Sequence, residues 1–109
     1  MRALDDPTRH VLIVERGGVP EGYLRFDALG AGRAAVSICL AADARSAGLG
    51  QRVLQRARGL AADLGFSDLD AIIHPENRAS VRSFERAGYA PTGAEDGFLK
   101  FSQSTEYAV

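Results

Sequence analysis

The first part of the chain follows a hydrophobic pattern typical of β-strands. Residues 10–15 form a short segment whose core, 11–14, is β-branched and aliphatic. Apolar and polar residues alternate over 22–29, and a third apolar run covers 34–40. Residues 17–20 and 30–32 carry the glycines and the proline that favour turns. Short connections of this kind join antiparallel neighbours, so the pattern predicts a meander of three strands.

Helical spacing replaces the strand pattern at Gly48. Apolar residues there recur every three or four positions and form one stripe, while charged residues take the other faces. Gly65 stands where a glycine commonly ends a helix. The members of the stripe are Leu49, Val53, Leu54, Ala57, Leu60, Ala61 and Leu64.

The last third of the chain predicts a strand, a second helix and two further strands. Residues 69–73 form a short apolar run, and Asn77 is a suitable N-cap for a helix running through Gly88. Strand character returns from Tyr89 onward, and residues 98–101 form the last predicted strand.

The order of these elements defines the fold class. Strand 34–40, the first helix and strand 69–73 make a βαβ unit, which requires parallel strands and a right-handed crossover. Joined to the antiparallel meander, this unit predicts an α+β fold with a mixed central sheet. Residues 1–109 are expected to form a single domain.

Composition and charge narrow the class of protein. The 109 residues are 46% hydrophobic and 25% charged, with a net charge of −1, as in ordinary globular domains. The near balance of charge argues against nucleic-acid binding, which needs a basic excess. The apolar runs are too short to span a bilayer, and the start lacks signal-peptide features, so we expect no membrane partner and a cytoplasmic protein.

Cys39 is the single cysteine, which excludes an intramolecular disulfide and a cysteine-cluster metal site. His10 and His74 lie far apart in sequence, without the spacing of a metal-binding pair. A lone cysteine fits a reducing compartment. Because Cys39 lies within an apolar run, it is predicted to be a buried structural thiol.

A glycine-containing loop at residues 45–50 joins an apolar strand to the first helix. The N–H groups at a helix N-terminus lack partners, and glycines let an anion approach the backbone closely. A phosphate or diphosphate is the natural ligand there, although such a loop is equally common as a plain tight turn. It matches neither the P-loop nor the dinucleotide-binding fingerprint.

Two motifs give this loop a more specific meaning. The segment R-S-A-G-L-G at 45–50 resembles the R/QxxGxG/A acetyl-CoA loop of the GNAT superfamily of acetyltransferases. H-P-E-N-R-A-S at 74–80, with F-E-R-A-G-Y at 84–89, resembles that family's second signature. The second motif is most similar to the branch that acetylates ribosomal-protein N-termini and to related sugar or amino-acid acetyltransferases. The likeness covers residues 8–101.

The resemblance implies an acetyl-CoA site between the two parallel strands, which splay apart in this family. The third strand would pair with the pantetheine arm, the loop and the start of the first helix would hold the diphosphate, and the second helix would line the thioester end. Asn77 also fits a plain N-cap, and Phe84 fits core packing. The implied cofactor-binding residues are Ile38, Cys39, Leu40, Arg45, Ser46, Ala47, Gly48, Leu49, Gly50, Gln51, Asn77, Ser80 and Phe84.

The implied reaction needs no metal. A primary amine of a small molecule or a peptide attacks the thioester carbonyl directly. Phe84 stands where many members have a tyrosine general acid, so Ser80 becomes the candidate donor to the leaving thiolate. A local bond within the first helical turn is the other interpretation of Ser80. Glu95 is the candidate base, and His74 is the alternative candidate.

The N-terminal region departs from the family pattern, because the family's first strand and acceptor-side helices are expected to be missing before position 10. A domain cut from a longer protein, an acceptor site completed by a second subunit, and loss of catalysis would each explain this. A non-catalytic acyl-CoA-binding module and a phosphate- or nucleotide-binding protein therefore stand beside the enzyme. An uncovered sheet edge would favour a homodimer.

Overall fold

The structure, a computed structural model, describes residues 2–4, 8–41 and 48–105, with side chains from Thr8 onward. Hydrogen bonding over these residues defines strands and two helices in the predicted order. They are β1 (Arg2–Leu4), β2 (Arg9–Arg16), β3 (Val19–Gly30), β4 (Arg33–Leu40), α1 (Leu49–Asp63), β5 (Asp68–Ile73), α2 (Arg78–Arg86), β6 (Ala90–Glu95) and β7 (Phe98–Ser104).

The strands form one mixed sheet in the order β1-β2-β3-β4-β5-β7-β6, counted over the described residues. Among the described strands, only β4 and β5 pair in parallel, and α1 makes the crossover between them. All other neighbouring strands are antiparallel. The predicted α+β class, meander and βαβ unit are therefore confirmed.

Several predicted ends shift by a few residues. The turn between β2 and β3 contains only Gly17 and Gly18, whose φ angles of +59° and +80° suit a two-residue hairpin turn. The predicted four-residue turn is therefore too long. Helix α2 ends at Arg86, because Gly88 has a φ of +99° and cannot continue it. The last strand continues past its predicted end to Ser104.

A short strand precedes the meander, so the expectation that the first strand is missing is wrong. Arg2 pairs with Ile13 and Leu4 with Val11, which places β1 antiparallel at the edge of the sheet. Three residues are too few to show a periodicity, so the sequence gives no signal for this strand. No helix is described between β1 and β2, which begins at Arg9.

The core lies between one face of the sheet and both described helices. Alternate strand residues, such as Leu24 and Phe26 of β3, are fully buried and pack in one cluster with α1 and α2. The other face carries half-buried and exposed residues over the described strands. We call it the open face and define it by Tyr23, Arg25, Ser37, Asp70, Ile72 and Lys100.

The parallel pair separates after three rungs. Pairing runs from Arg33–Asp68 to Ala35–Asp70, while β4 continues to Leu40 and β5 to Ile73. We call this divergence the fork. It confirms the splay that the family resemblance implies. At its base, Asp70 accepts two hydrogen bonds from the Arg33 guanidinium at 2.6 and 2.8 Å and one from Ser102 Oγ at 2.6 Å.

Candidate functional site

A cavity of about 240 Å³ lies at the fork, bounded by β4, the start of α1 and the first half of α2. Its lining combines mainly apolar residues of the strand with small and polar residues of the two helical segments. The cavity brings together six of the predicted cofactor-binding residues, from three separate segments. The lining residues are Ile38, Cys39, Leu40, Gly50, Asn77, Ala79, Ser80 and Ser83.

Strand β4 supplies one wall of the cavity. Its side chains alternate between the two faces of the sheet. Val36 and Leu40 are buried on the core face, and Ile38 packs against the same cluster. Cys39 has the opposite direction and is exposed, so the prediction of a buried thiol is wrong. An apolar run in a strand with one open face buries only every second residue.

Helix α1 presents its N-terminus to the cavity. Gly48 takes the N-cap position with a φ of +71° and no side-chain capping hydrogen bond, and the first turn carries no acidic residue. A Cβ on Gly50 would lie 3.0 Å from Ser83 Oγ, so this glycine allows α1 to approach α2 closely. The exposed positive end of the helix is suited to an anion.

Part of the predicted anion loop lies outside the described residues, namely Arg45, Ser46 and Ala47. Of its remaining members, Leu49 and Gln51 are half-buried at the start of α1 and do not line the cavity.

The start of α2 supplies the facing wall. Asn77 Oδ1 accepts a hydrogen bond from the Ser80 backbone N–H at 3.2 Å, which confirms the predicted N-cap. Ser80 is half-buried and lines the cavity. Phe84 is only 3% exposed and packs edge-on against Tyr89, with the two ring centroids 4.9 Å apart. It does not line the cavity. Its core interpretation therefore has direct structural support.

The candidate bases lie away from the lining. Glu95 ends β6, and its carboxylate lies 3.1 Å from the Lys100 ammonium, with two thirds of its side chain exposed. His74 contacts the Phe98 ring edge-on, and its Nδ1 accepts a hydrogen bond from the Glu76 N–H at 3.2 Å. The structure does not bring either residue to the cavity.

A second cavity of about 460 Å³ lies on the open face at the base of the fork. It is lined in part by Arg33, Asp70, Thr92 and Lys100. The hydrogen bonds from Arg33 hold the pKa of Asp70 below its ordinary value. This cluster could not be predicted from the sequence, because its residues lie on four different strands and share no common spacing.

Ser83 and Ala79 also line the cavity, and neither was predicted to do so. Both lie on the face of α2 that also carries Ser80, and Ser83 follows Ser80 by three residues. Positions three and four apart share a helix face, so this spacing was the available signal.

The chain thus combines a forked mixed sheet with a cavity between a strand end and a helix N-terminus. The sequence profile of the acetyltransferase (GNAT) family matches residues 2–89, and the chain belongs to that family. No curated protein matches it in sequence.

Solved acetyltransferase structures share this fold. The GNAT domain of S. lividans PAT is 23% identical, with a TM-score of 0.83 over 93% of this chain and 64% of that one. Campylobacter jejuni N-acetyltransferase PseH, in complex with acetyl coenzyme A, is 13% identical. Its TM-score is 0.80, over 93% of this chain and 71% of that one. Aminoglycoside acetyltransferase AAC(6')-Ib, in complex with coenzyme A and kanamycin, is 21% identical. Its TM-score is 0.76, over 90% of this chain and 67% of that one. The chain thus spans less than two thirds of the S. lividans domain structure.

Two further features bear on ligands. Within the described ranges, no group of three or more His, Cys, Asp and Glu side chains is arranged to hold a metal ion. Neither described helix is long and apolar enough to cross a membrane.

Proposed function

We propose that the chain binds acetyl-CoA in the fork and transfers the acetyl group to a primary amine. The observation that carries this proposal is the cavity that joins the diverging end of β4 to the N-termini of α1 and α2. Membership of the GNAT family supports the same reaction class.

The residues present fit the elongated, anionic shape of acetyl-CoA. Alternate backbone groups of a strand point to either side, so β4 beyond Ala35 can pair with an extended pantetheine arm as an added strand. The N-terminus of α1, around Gly48 and Gly50, would receive the diphosphate. Asn77 and Ser80 would line the opposite side of the arm.

The thioester supplies an electrophilic carbonyl and a thiol leaving group. Backbone N–H groups of β4 would polarise the carbonyl oxygen in the manner of an oxyanion hole. The amine nitrogen forms a bond to the carbonyl carbon, the C–S bond breaks, and the amine loses its proton to water or a base. Ser80 Oγ would donate a hydrogen bond to the departing sulfur.

Calorimetry with acetyl-CoA, together with thiol release in the presence of an amine panel, tests this proposal. The panel contains peptides with free N-termini, aminoglycosides, amino sugars and amino acids, which separates the ribosomal-protein-like branch from its small-molecule relatives. No binding at millimolar acetyl-CoA would exclude the proposal.

Ser80→Ala tests the assigned donor. Loss of one hydrogen bond to the leaving sulfur should lower kcat about tenfold with little change in KM for acetyl-CoA. Ser104→Ala, at the exposed end of β7, is the matched control. A change in KM alone would assign Ser80 to binding.

We keep Glu95 as the proposed general base. To accept a proton from the amine, its carboxylate must first break the ion pair with the Lys100 ammonium. Glu95→Gln should then lower kcat at neutral pH at least tenfold, whereas Asp96→Asn, in the adjacent turn, should not. Equal activity of both variants with the wild type would remove Glu95 from the mechanism.

A non-catalytic acyl-CoA-binding module is the second candidate. It is favoured by the apolar Phe84 at the usual tyrosine position and by the distance of both candidate bases from the cavity. Binding of acetyl-CoA without thiol release across the whole amine panel would favour the module.

A homodimer remains part of the proposal, because the open face exposes large apolar side chains. Ile72 is 66% exposed and Leu29 57%. Pairing of two copies would cover them. Light scattering at high concentration tests this, and a single species of 11.6 kDa would exclude it.

A further inference from the structure

Helix α2 carries an arginine stripe, which we define as Arg78, Arg82 and Arg86. The three residues are spaced by four, so they follow one side of the helix, and all are exposed. No side-chain hydrogen bond or ion pair involves them within the part of the chain that the structure describes.

The arginines of the sheet behave differently. Arg9 and Arg25 both pair with Asp27, and Arg16 pairs with Glu21. Arg33 pairs with Asp70. Among the described side chains, these four arginines of the sheet are ion-paired and the three of α2 are not, which makes the stripe available to an external anion.

The stripe borders the cavity at the fork. At about 100° and 1.5 Å per residue, Arg86 lies within about 20° of Ala79 around the helix axis and about 10 Å further along it. Arg82 lies within about 60° of Ala79 and about one turn along the axis. Ala79 lines the cavity, and Ser83 on the same side contacts the start of α1 near Gly50. Arg78 points about 100° away from Ala79 and lies furthest from the cavity.

Two positive features therefore lie side by side at this edge, namely the N-terminus of α1 and the pair Arg82–Arg86. Packed helix axes are separated by about 8–10 Å. A ligand with two anionic groups at comparable separation would engage both. Coenzyme A has this form at its nucleotide end, where a ribose separates the diphosphate from the 3′-phosphate.

We propose that Arg82 and Arg86 bind the 3′-phosphate of coenzyme A and make the chain prefer it to dephosphorylated forms of the same ligand. This inference rests on the proposed function, because it requires the diphosphate to lie at the start of α1. Guanidinium groups are suited to the role, since they bind phosphate through paired, charge-assisted hydrogen bonds.

Calorimetry with coenzyme A and with 3′-dephospho-coenzyme A tests the inference. The wild-type chain should bind coenzyme A about tenfold more tightly, because one charge-assisted phosphate contact has about that effect on affinity. In Arg82→Ala/Arg86→Ala this preference should fall to about one, while the affinity for the dephosphorylated ligand stays within about twofold of the wild type.

Arg56→Ala is the matched control, since Arg56 is an exposed arginine on α1 about two turns beyond its start. It removes one positive charge and should leave the preference unchanged. Arg82→Lys/Arg86→Lys should retain part of it.

The outcomes separate this inference from the proposed function. Wild-type binding without any preference, or a double variant that weakens both ligands equally, would overturn the inference alone. Failure of the wild-type chain to bind either ligand would overturn both.

Discussion

At the scale of single residues, Asp70 has the most connected side chain at the fork. It accepts hydrogen bonds from Arg33 of β4 and Ser102 of β7, so it links three neighbouring strands directly before β4 and β5 diverge. The Arg33 hydrogen bonds are the main reason that its pKa lies below the ordinary value.

Asp70→Asn is expected to lower the urea midpoint at pH 7. Because the folded-state pKa of Asp70 is lowered, its stabilisation is present above the unfolded value near 3.9 and disappears as pH falls through the folded value. The difference between variant and wild type should therefore shrink below about pH 4. Urea unfolding at several pH values measures this. Asp63→Asn, at the exposed end of α1, should show no such convergence.

Tyr89 places a polar atom in the core without an evident partner. Its ring packs on Phe84, and its hydroxyl is buried with no hydrogen-bond partner among the described residues. Burial also raises the pKa of the phenol. Tyr89→Phe should therefore leave the free energy of unfolding unchanged or raise it by about 1 kcal/mol. The exposed Tyr23→Phe is the control. A loss above about 1 kcal/mol would show that the hydroxyl makes a stabilising contact.

Single-residue roles were predictable where the local chain determines them. Asn77 followed by a helical pattern predicts a cap, and the cap is present. Cys39 was predicted wrongly, because its exposure depends on whether the sheet has one covered face or two, and local sequence does not contain that information. The Arg33–Asp70 pair joins residues 37 apart, which no short-range pattern predicts.

At the scale of elements, the β3–β4 pair depends on one glycine. Gly22 lies opposite Leu40 with a φ of +156°, and a Cβ there would collide with the backbone at Cys39 and Leu40. The strand that lines the cavity can therefore pair with β3 at this rung only if position 22 lacks a side chain.

Gly22→Ala should lower the free energy of unfolding by about 2–4 kcal/mol and weaken acetyl-CoA binding, because β4 must shift. Gly93→Ala is a close control, since Gly93 has a φ of +148° with open space around it. It should cost about 1 kcal/mol, from backbone strain alone. Denaturant unfolding measures both variants, and equal losses would contradict the steric explanation.

Elements with a strong periodicity were predicted in the right order. The helical stripe from Leu49 and the three strands of the meander each span enough residues to show their period. Strand β1 was not predicted, because its three residues are recognisable as a strand only by their pairing with β2 and show no pattern of their own.

At the scale of the whole molecule, the fold should be stabilised by its ligand. Acetyl-CoA at about one hundred times its Kd should add about 2.7 kcal/mol, which corresponds to a rise in Tm of roughly 10 °C for a domain of this size. Thermal unfolding measures this. ATP is the control, and an equal shift with ATP would support a nucleotide-binding protein instead of an acetyltransferase.

The overall fold was more predictable than the acceptor. Two sequence motifs, at 45–50 and 74–89, are separated by one helix and one strand, and together they predicted the acetyltransferase fold class. The match to the family profile supports that prediction. The open-face cavity shows why, since several strands assemble its surface and no short-range pattern in the sequence describes such a surface.

The short pairing between β4 and β5 also separates the strands of the sheet into two hydrogen-bonded units. One unit holds β1 to β4 and the other holds β5 to β7. Among the described residues, the backbone hydrogen bonds between these two units are confined to residues 32–35 and 67–70. Native-state hydrogen exchange should therefore reveal two groups of amides with different opening free energies. A ligand that contacts both units would tie them together, so in its presence the two groups should converge toward a single cooperative opening.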